Sequence, residues 1–350
     1  MTWLVWRRHR KQALFALLAL AALAAFLVPT GLQMHREFDR AGLDDCLPAA
    51  ARVEFIPVRP PDQPPDPVRA CHELAEQFAR RFGSRGSFGA LLWFLPLFVG
   101  LFWGAPLVAR EVEHGTHRLV WTQGVSRRRW ALVKFGLVGA GAVLAAAGYA
   151  LLVTWWRAPL DQVAAGTAVG NKFGFLLFDL EGLVPVGYAL FAVALGVFAG
   201  ALTRRTQAAM AVTLVGYLAT RLLVEFFARP RFLAPLRRTY PVIGSLDVNP
   251  IGGDWIIRAG VYNAEGARLA GGVFGNYSSS LCPPTTTLAP APATTTNPCL
   301  VEYGAGAYNL QVFHPADRYW LFQGIETALF VALAVLLLLA AVHWVRRRIS

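Results

Sequence analysis

The feature that constrains this chain most is a set of six apolar stretches, each about as long as a lipid bilayer is thick. A helix needs roughly 20 mostly apolar residues to cross the ~30 Å hydrocarbon core, where lipid offers backbone groups no hydrogen-bond partner. The six stretches cover residues 13–31, 88–109, 130–153, 183–202, 208–227 and 320–345. The sequence therefore predicts an all-α polytopic membrane protein with six transmembrane helices.

Composition supports a membrane protein, because 55% hydrophobic against 15% charged residues is too apolar for a soluble surface. The first stretch has a second interpretation. Basic residues 7–11 followed by an Ala-rich run also fit a secretory signal peptide. The apolar run is longer than the roughly 7 to 15 residues of a signal core, which favours a membrane span.

The distribution of charge predicts the orientation of the spans. With the N-terminus inside, the inner side holds 15 basic and two acidic residues, counting Lys134 at the start of the third stretch. The outer side holds 18 of each, counting Arg221 and Glu225 near the outer end of the fifth stretch. Short cytoplasmic loops retain Lys and Arg, so both termini are predicted to be cytoplasmic. The net charge of +12 then needs no nucleic-acid partner to explain it. Ala-rich runs and only three lysines are typical of a high-GC bacterial genome, which suggests the bacterial plasma membrane.

Segments of unequal length join the six stretches. The predicted cytoplasmic parts are a short interfacial N-terminus, a loop, a turn and a tail, at residues 1–12, 110–129, 203–207 and 346–350. The predicted extracellular parts are residues 32–87, 154–182 and 228–319. In the N-terminal part, Trp3 and Trp6 beside the basic residues favour contact with membrane lipids.

All four cysteines fall in predicted extracellular segments, where disulfides persist. Cys46 and Cys71 share the first segment, and Cys282 and Cys299 share the third. Four cysteines allow three connectivities. Pairing within each segment closes the shortest loops and is favoured. The Thr/Pro/Ala tract between Cys282 and Cys299 cannot bury a core and is expected to be an extended loop.

Motifs for nucleotide hydrolysis and metal binding are missing from the sequence. It contains no GxxxxGK[ST], no HExxH and no CxxC, and the cysteines are too widely spaced for a zinc site. His114 and His117 have helical spacing but no third ligand nearby. We expect neither an enzyme nor a metal site, and no cofactor of its own.

The loop after the second stretch, AREVEHGTHRLVWTQGVSRRRWALVKF, carries the most informative pattern. A solvated, positively charged connection is its simplest interpretation. The pattern also resembles the permeases of type-2 ABC transporters, through Glu111, Glu113, Gly115, Thr116, Leu119, Thr122, Ser126, Arg127 and Lys134. The usual family form has arginine between the two acids and proline after the second threonine, where this chain has Val112 and Gln123. The sequence as a whole is similar to an actinobacterial branch of this family.

The resemblance implies a function and partners. Such permeases form a homodimer, or a dimer with a related permease, on two cytoplasmic ABC ATPase subunits that hold ATP and Mg²⁺. Residues 115–127 would be a coupling helix that docks on the ATPase, and the residues assigned to coupling are Glu111, Glu113, Gly115, Thr116, Arg118, Ser126 and Arg127. The implied activity is ATP-driven export by alternating access, and apolar spans are compatible with an amphipathic drug, antibiotic or lipid.

Charged residues inside spans are functional candidates, because burying them in hydrocarbon is costly. Glu326 could line the pathway or stabilise the outer gate, facing Arg221 or Arg318. A structural ion pair or a position at the membrane interface is the favoured alternative. Arg221 and Glu225 are four residues apart and are predicted to pair with each other. Gly196 and Gly200 form a GxxxG pattern whose expected use is packing within the chain rather than at a dimer seam.

Two functions from other classes remain open. A membrane sensor or scaffold could bind a ligand or partner through its disulfide-bonded outer segments without transport. A secondary transporter would show internal repeats and several intramembrane ionisable residues, and neither feature is visible.

Overall fold

The protein is mostly helical. The computed structural model describes residues 2–50, 67–83, 92–115, 126–165, 172–174, 176–241, 253–270 and 306–348. Within these ranges six helices are long and apolar enough to cross a membrane. We number them spans 1 to 6: Arg10–Arg40, Leu95–Glu113, Arg128–Val163, Val184–Thr203, Thr206–Arg231 and Ala316–Arg347.

Several spans belong to longer or irregular helices. Span 1 lies in the helix Thr2–Arg40, and span 3 lies in the helix Arg127–Ala165, which is also 39 residues long. At about 1.5 Å per residue, each of these helices is close to 60 Å long, which is about twice the hydrocarbon thickness. Span 6 lies mainly in the helix Tyr319–Arg348.

Spans 2 and 5 each contain a π-helical turn. Span 2 consists of the α-helices Leu95–Val99 and Ala105–Glu113, joined by the turn Gly100–Gly104. Span 5 consists of the α-helix Thr206–Leu223, the π turn Val224–Ala228 and the 3₁₀ turn Arg229–Arg231. Such turns are rare and occur frequently at functional sites.

Span 4 is the centre of the bundle and packs against spans 2, 3, 5 and 6. Two thirds of its most apolar stretch is buried, against 6% for span 1. Small residues permit the close approach. A Cβ on Gly196 would lie 2.5 Å from the Ala105 backbone nitrogen, and a Cβ on Gly200 would lie 2.7 Å from the Ala105 carbonyl oxygen. The GxxxG pattern therefore packs within the chain, as predicted.

A helical cap covers the end of span 1. It comprises the helices Leu43–Ala50 and Pro67–Phe82, which the disulfide Cys46–Cys71 joins. This is the pairing within one segment that the sequence favoured. The core of the cap is continuous with the packing of span 1 on span 3. Cys282 and Cys299 lie outside the described residues.

The described part of the segment between spans 5 and 6 contains an antiparallel sheet, so the all-α prediction was wrong there. Strands β1 to β4 are Leu236–Pro241, Trp255–Tyr262, Arg268–Ala270 and Tyr308–His314, and their order in the sheet is β1-β4-β2-β3. Short strands between polar tracts carry a much weaker sequence signal than a 20-residue apolar run. Trp255 of β2 stacks on Phe173 at 5.4 Å between ring centroids, and Phe173 meets Tyr319 edge-on. These contacts seat the sheet on the bundle.

Candidate functional site

Polar contacts concentrate at the two ends of the bundle. We call the end where span 2 finishes and spans 3 and 5 begin the motif end, because it carries Glu111 and Glu113. We call the opposite end, where spans 3 and 5 finish and spans 4 and 6 begin, the network end. In the described residues, both ends contain charged side chains that are buried or that connect two spans. The two ends differ in how these side chains are paired.

At the motif end, Glu111 joins span 2 to span 3. Its Oε1 lies 2.6 Å from the Nζ of Lys134, and both side chains are almost fully buried. Lys134 Nζ also donates a hydrogen bond of 2.8 Å to the carbonyl oxygen of Leu107 and lies 4.8 Å from the ring centroid of Trp130. The ammonium thus bridges a carboxylate and a backbone carbonyl of span 2 from the first turns of span 3.

Glu113 joins span 2 to span 5. Its Oε2 accepts hydrogen bonds from the backbone nitrogen of Thr206 at 3.0 Å and from the Thr206 hydroxyl at 2.7 Å. Thr206 is the first residue of the span 5 helix, whose initial N–H groups have no partner within the helix. The Glu113 carboxylate therefore caps span 5 from outside it.

Span 2 ends at Gly115 in the left-handed conformation, with φ of +70°. Its backbone nitrogen donates to the Val112 carbonyl at 3.2 Å, which is typical of a glycine-terminated helix. A Cβ there would meet no atom within 4 Å, so the backbone angle and not the available space requires glycine.

The predicted coupling residues are only partly within the described chain. Ser126 is exposed just before span 3, and its hydroxyl accepts a hydrogen bond from the Arg129 nitrogen at 3.3 Å. Arg127 begins the helix that contains span 3. Thr116 and Arg118 lie outside the described residues. The structure thus places Glu111, Glu113 and Gly115 together, with the start of span 3 beside them.

At the network end, Arg229 of span 5 is the hub of a buried ionic network. Its Nε and Nη2 donate to the two carboxylate oxygens of Glu326 in span 6, at 2.7 and 2.9 Å. Nη2 also reaches Asp179 Oδ1 at 2.8 Å, and Nη1 lies 3.4 Å from Glu225 Oε1. Bidentate pairing of this kind holds both groups in a fixed geometry.

Asp179, which precedes span 4, is the second hub. It forms an ion pair with Arg221 and accepts hydrogen bonds of 2.9 Å from Trp93 Nε1 and from the Tyr188 hydroxyl. The Tyr188 oxygen also contacts Glu326, and its ring lies 3.6 Å from the Arg221 guanidinium carbon. One connected set of polar groups thus links the ends of spans 2, 4, 5 and 6.

Two predicted partnerships were wrong. Arg221 pairs with Asp179 rather than with Glu225, and Glu225 faces Arg229 instead. Sequence spacing identifies a neighbour four residues away, but it cannot register a carboxylate that arrives from another segment.

Glu326 likewise pairs with Arg229, and not with Arg221 or Arg318. Arg318 donates to the carbonyl oxygen of Ala234 at 2.8 Å. Since Glu326 is fully buried and engaged by Arg229, the geometry favours the ion-pair interpretation over the pathway interpretation.

Four members of the network were missed in the sequence: Trp93, Asp179, Tyr188 and Arg229. Asp179 stands immediately before an apolar span, and Arg229 lies two residues beyond the predicted end of span 5. A charge at the very end of an apolar stretch was the available signal, because such side chains have to find partners or reach the interface.

A second buried carboxyl group lies beside the network. Arg157 of span 3 pairs with Asp161 at 2.9 Å and lies 3.6 Å from Glu181, which precedes span 4. Burial first, and then the negative charge of Asp161, raise the pKa of Glu181 to about 8. Glu181 therefore keeps its proton to a higher pH than an exposed glutamate does. The Tyr319 hydroxyl donates to Glu181 Oε1 at 3.3 Å.

The chain's similarity to known proteins covers most of the bundle. The family described as ABC-2 membrane transporter related matches residues 17–229. The chain belongs to this family. ABC-2 permeases are membrane components of transporters, are not catalytic themselves and pair with an ABC ATPase. No curated protein and no solved structure matches the chain.

The ABC-2 match has an informative boundary. It includes spans 2 to 4, most of spans 1 and 5, both carboxylates of the motif end and, as its last residue, Arg229. The sheet and span 6, with Glu326, lie beyond it. The ionic network therefore joins the matched region to the part of the chain that follows it.

Proposed function

We propose that this chain is the permease subunit of an ATP-driven ABC exporter, working as a dimer with a second copy or a related permease on two ATPase subunits. The observation that carries the proposal is the ABC-2 family match over residues 17–229, combined with the Glu-x-Glu-x-Gly motif that ends span 2. The family membership does not favour a sensor or scaffold that lacks transport.

The motif end is assigned to the cytoplasm. Within the described residues Glu111 and Glu113 are the only acids at this end, so the net positive charge lies there, and short cytoplasmic loops retain Lys and Arg. The Cys46–Cys71 disulfide lies in the helical cap at the network end, on the side that an oxidising compartment would face. Charge and disulfide thus support the same orientation, with both termini in the cytoplasm.

Transport is assigned to rigid-body movement of the spans. ATP binding closes the ATPase pair, residues 115–127 pass that movement to the bundle, and the network end opens and closes the outer exit. The buried ion pairs that connect Asp179, just before span 4, with spans 5 and 6 support a role for this end as the outer gate. The coupling residues of the proposal are Glu111, Glu113, Gly115, Thr116, Arg118, Ser126 and Arg127. Apolar exposed faces support an amphipathic substrate that enters from the lipid.

The first experiment is recovery of the partner. The permease is tagged at its C-terminus, solubilised from its native host and purified, and a bound ABC ATPase is sought by mass spectrometry. The recovered pair is then placed in liposomes and tested for ATP-dependent movement of an amphipathic fluorescent cation. A Walker-lysine variant of the ATPase is the control and should abolish movement.

Gly115→Val tests the coupling segment. The substitution forces a β-branched residue into φ of +70° at the end of span 2. We expect loss of ATP-dependent movement with the permease still folded. Failure of the wild type to recover any ATPase would contradict the proposed function, and normal movement in this variant would contradict the assignment of the coupling segment.

A further inference from the structure

The two glutamates of the motif each hold a different span. We propose that Glu111 and Glu113 are positioning residues that transmit movement of the coupling loop to spans 3 and 5, and that they do not touch the ATPase. The inference rests on the proposed function and assigns two of its coupling residues a role inside the permease.

Helix geometry explains why the two acids are two residues apart. Successive residues on an α-helix are about 100° apart, so residues i and i+2 face nearly opposite sides. Glu111 points to Lys134 in span 3, and Glu113 points to Thr206 in span 5. One helical turn of span 2 can therefore contact the beginnings of both span 3 and span 5.

The burial of the first contact argues against ATPase docking. Glu111 and Lys134 are 5% and 3% exposed, so a soluble partner cannot reach them in this state. Lys134 also holds the Leu107 carbonyl one turn earlier in span 2. Separating the two spans would leave two uncompensated charges in a buried environment, which is costly. Spans 2 and 3 are thus expected to move together at this end.

The second contact is exposed, and one carboxylate oxygen of Glu113 is directed at span 5. Both hydrogen bonds to Glu113 Oε2 come from Thr206, and they stabilise the first turn of span 5. Arg204, two residues earlier, adopts a left-handed conformation that lets span 4 turn back into span 5. A displacement of Glu113 therefore pulls on the start of span 5 directly.

Close packing against span 4 supports span 2 rigidly. Span 2 lies against span 4 with Gly100 and Gly104 facing Ala192 and Val193, where an added Cβ would fall under 3 Å from backbone atoms. Packed backbones of this kind transmit movement rather than absorb it. The residues that follow Gly115 are left to dock on the ATPase, while the two glutamates carry their movement inward.

The test for Glu113 separates docking from transmission. Glu113→Ala, Thr206→Val, their double variant and the conservative Thr206→Ser are compared in nanodiscs with the recovered ATPase. Glu76→Gln, which removes an exposed ion pair with Arg80 in the helical cap, is the matched control. Two quantities are measured: the affinity of the ATPase for the permease, and the amount of amphipathic cation moved per ATP hydrolysed.

Loss of the cap should lower the ratio of transport to hydrolysis about five- to tenfold in Glu113→Ala and Thr206→Val, with ATPase affinity within twofold of the wild type. The double variant should be no worse than either single variant, because both remove one interaction. Thr206→Ser retains the hydroxyl and should keep the wild-type ratio.

The test for Glu111 uses paired removal. Glu111→Gln and Lys134→Met each strand a buried charge and should lower the Tm in detergent by several degrees, whereas the double variant should recover most of that loss. The transport ratio should stay low in the double variant, because the connection between the spans is still missing. If the pair is merely structural, the double variant should recover both the Tm and the ratio of transport to hydrolysis.

Two outcomes would overturn the inference alone. One is weakened ATPase affinity with an unchanged ratio in the Glu113 or Glu111 variants, which would make these residues docking contacts. The other is full recovery of the ratio in the Glu111→Gln, Lys134→Met double variant. Failure of the wild type to bind any ATPase would instead contradict the proposed function, and the inference would fall with it.

Discussion

The network end and the motif end hold the bundle together by different means. At the network end, Asp179, Arg221, Arg229 and Glu326 are at most 3% exposed, and they share a single connected set of ion pairs. At the motif end, one buried pair and one exposed helix cap join span 2 to its neighbours. The ion pairs of the network end connect the segment just before span 4 with spans 5 and 6 in one set. The contacts of the motif end connect span 2 separately with span 3 and with span 5.

The difference shows how a bundle can be both stable and movable. Opening the network end requires several buried charges to change partners together, whereas the cap at Glu113 can be lost at small cost. We therefore expect the network end to dominate folding stability and the motif end to dominate coupling. Four predictions test that division, beginning with the largest effect.

Arg229→Met should cause the largest loss. It leaves the Asp179 and Glu326 carboxylates buried without their shared counter-charge, which costs about 3–5 kcal/mol. Thermal unfolding in detergent, followed by size-exclusion chromatography, measures the change. Arg231→Met is the matched control, since Arg231 is exposed two residues away, and it should change stability by less than about 0.5 kcal/mol. An equal loss of stability in the two variants would show that the network does not stabilise the fold more than an exposed arginine does.

The disulfide in the helical cap at the network end comes second. Replacing both Cys46 and Cys71 by serine frees a loop with a sequence separation of 25 and should cost about 2–4 kcal/mol. Wild-type protein treated with a reductant should show the same fall in Tm. A variant as stable as the oxidised wild type would mean that the cap is held by its apolar core alone.

Gly196→Ala tests the close packing of span 4 on span 2, which lies between the two ends of the bundle. The new Cβ would lie 2.5 Å from a backbone nitrogen of span 2, so the spans must separate, at a cost of about 1–3 kcal/mol. Gly136→Ala is the control, because no atom lies within 4 Å of its Cβ position. It should be neutral or stabilising by up to about 1 kcal/mol. Equal effects in both variants would exclude close packing as the reason for the GxxxG pattern.

The smallest predicted effect is a pH dependence from Glu181. Its pKa is about 8 in the folded state, above its ordinary value of 4.5, so the folded protein binds the extra proton. The stability it contributes is complete below about pH 4.5 and is lost as pH rises through 8. We expect the wild type to lose roughly 1 kcal/mol between pH 7 and 8. Glu181→Gln should flatten this slope, and an unchanged slope would assign it to another group.

Apolar length allowed the six spans to be predicted, because a run of about 20 apolar residues is itself the physical requirement for crossing a bilayer. The same argument missed that the helices of spans 1 and 3 continue to Arg40 and Ala165, where polar residues pack in the helical cap or join ion pairs. It also missed the sheet, whose strands pair residues as distant as Leu236 and Phe313.

The candidate site divided in the same way. The motif residues at the end of span 2 could be found from the sequence, because a local pattern encodes a helix end, its two acids and its terminal glycine. The partners of those acids could not be found. Lys134 and Thr206 follow Glu111 and Glu113 by 23 and 93 positions, and only the packing of span 2 between its neighbours brings them together.

The sequence by itself determined that the chain enters a membrane, crosses it six times and belongs with transport permeases, since these follow from local apolar length, charge bias and a short motif. The tertiary structure decided which charge meets which. Arg221, Arg229, Asp179 and Glu326 come from segments up to 147 positions apart, and burial makes each accept the partner that packing delivers. A buried charge is stable only with its counter-charge in contact, and contact is a property of the folded bundle.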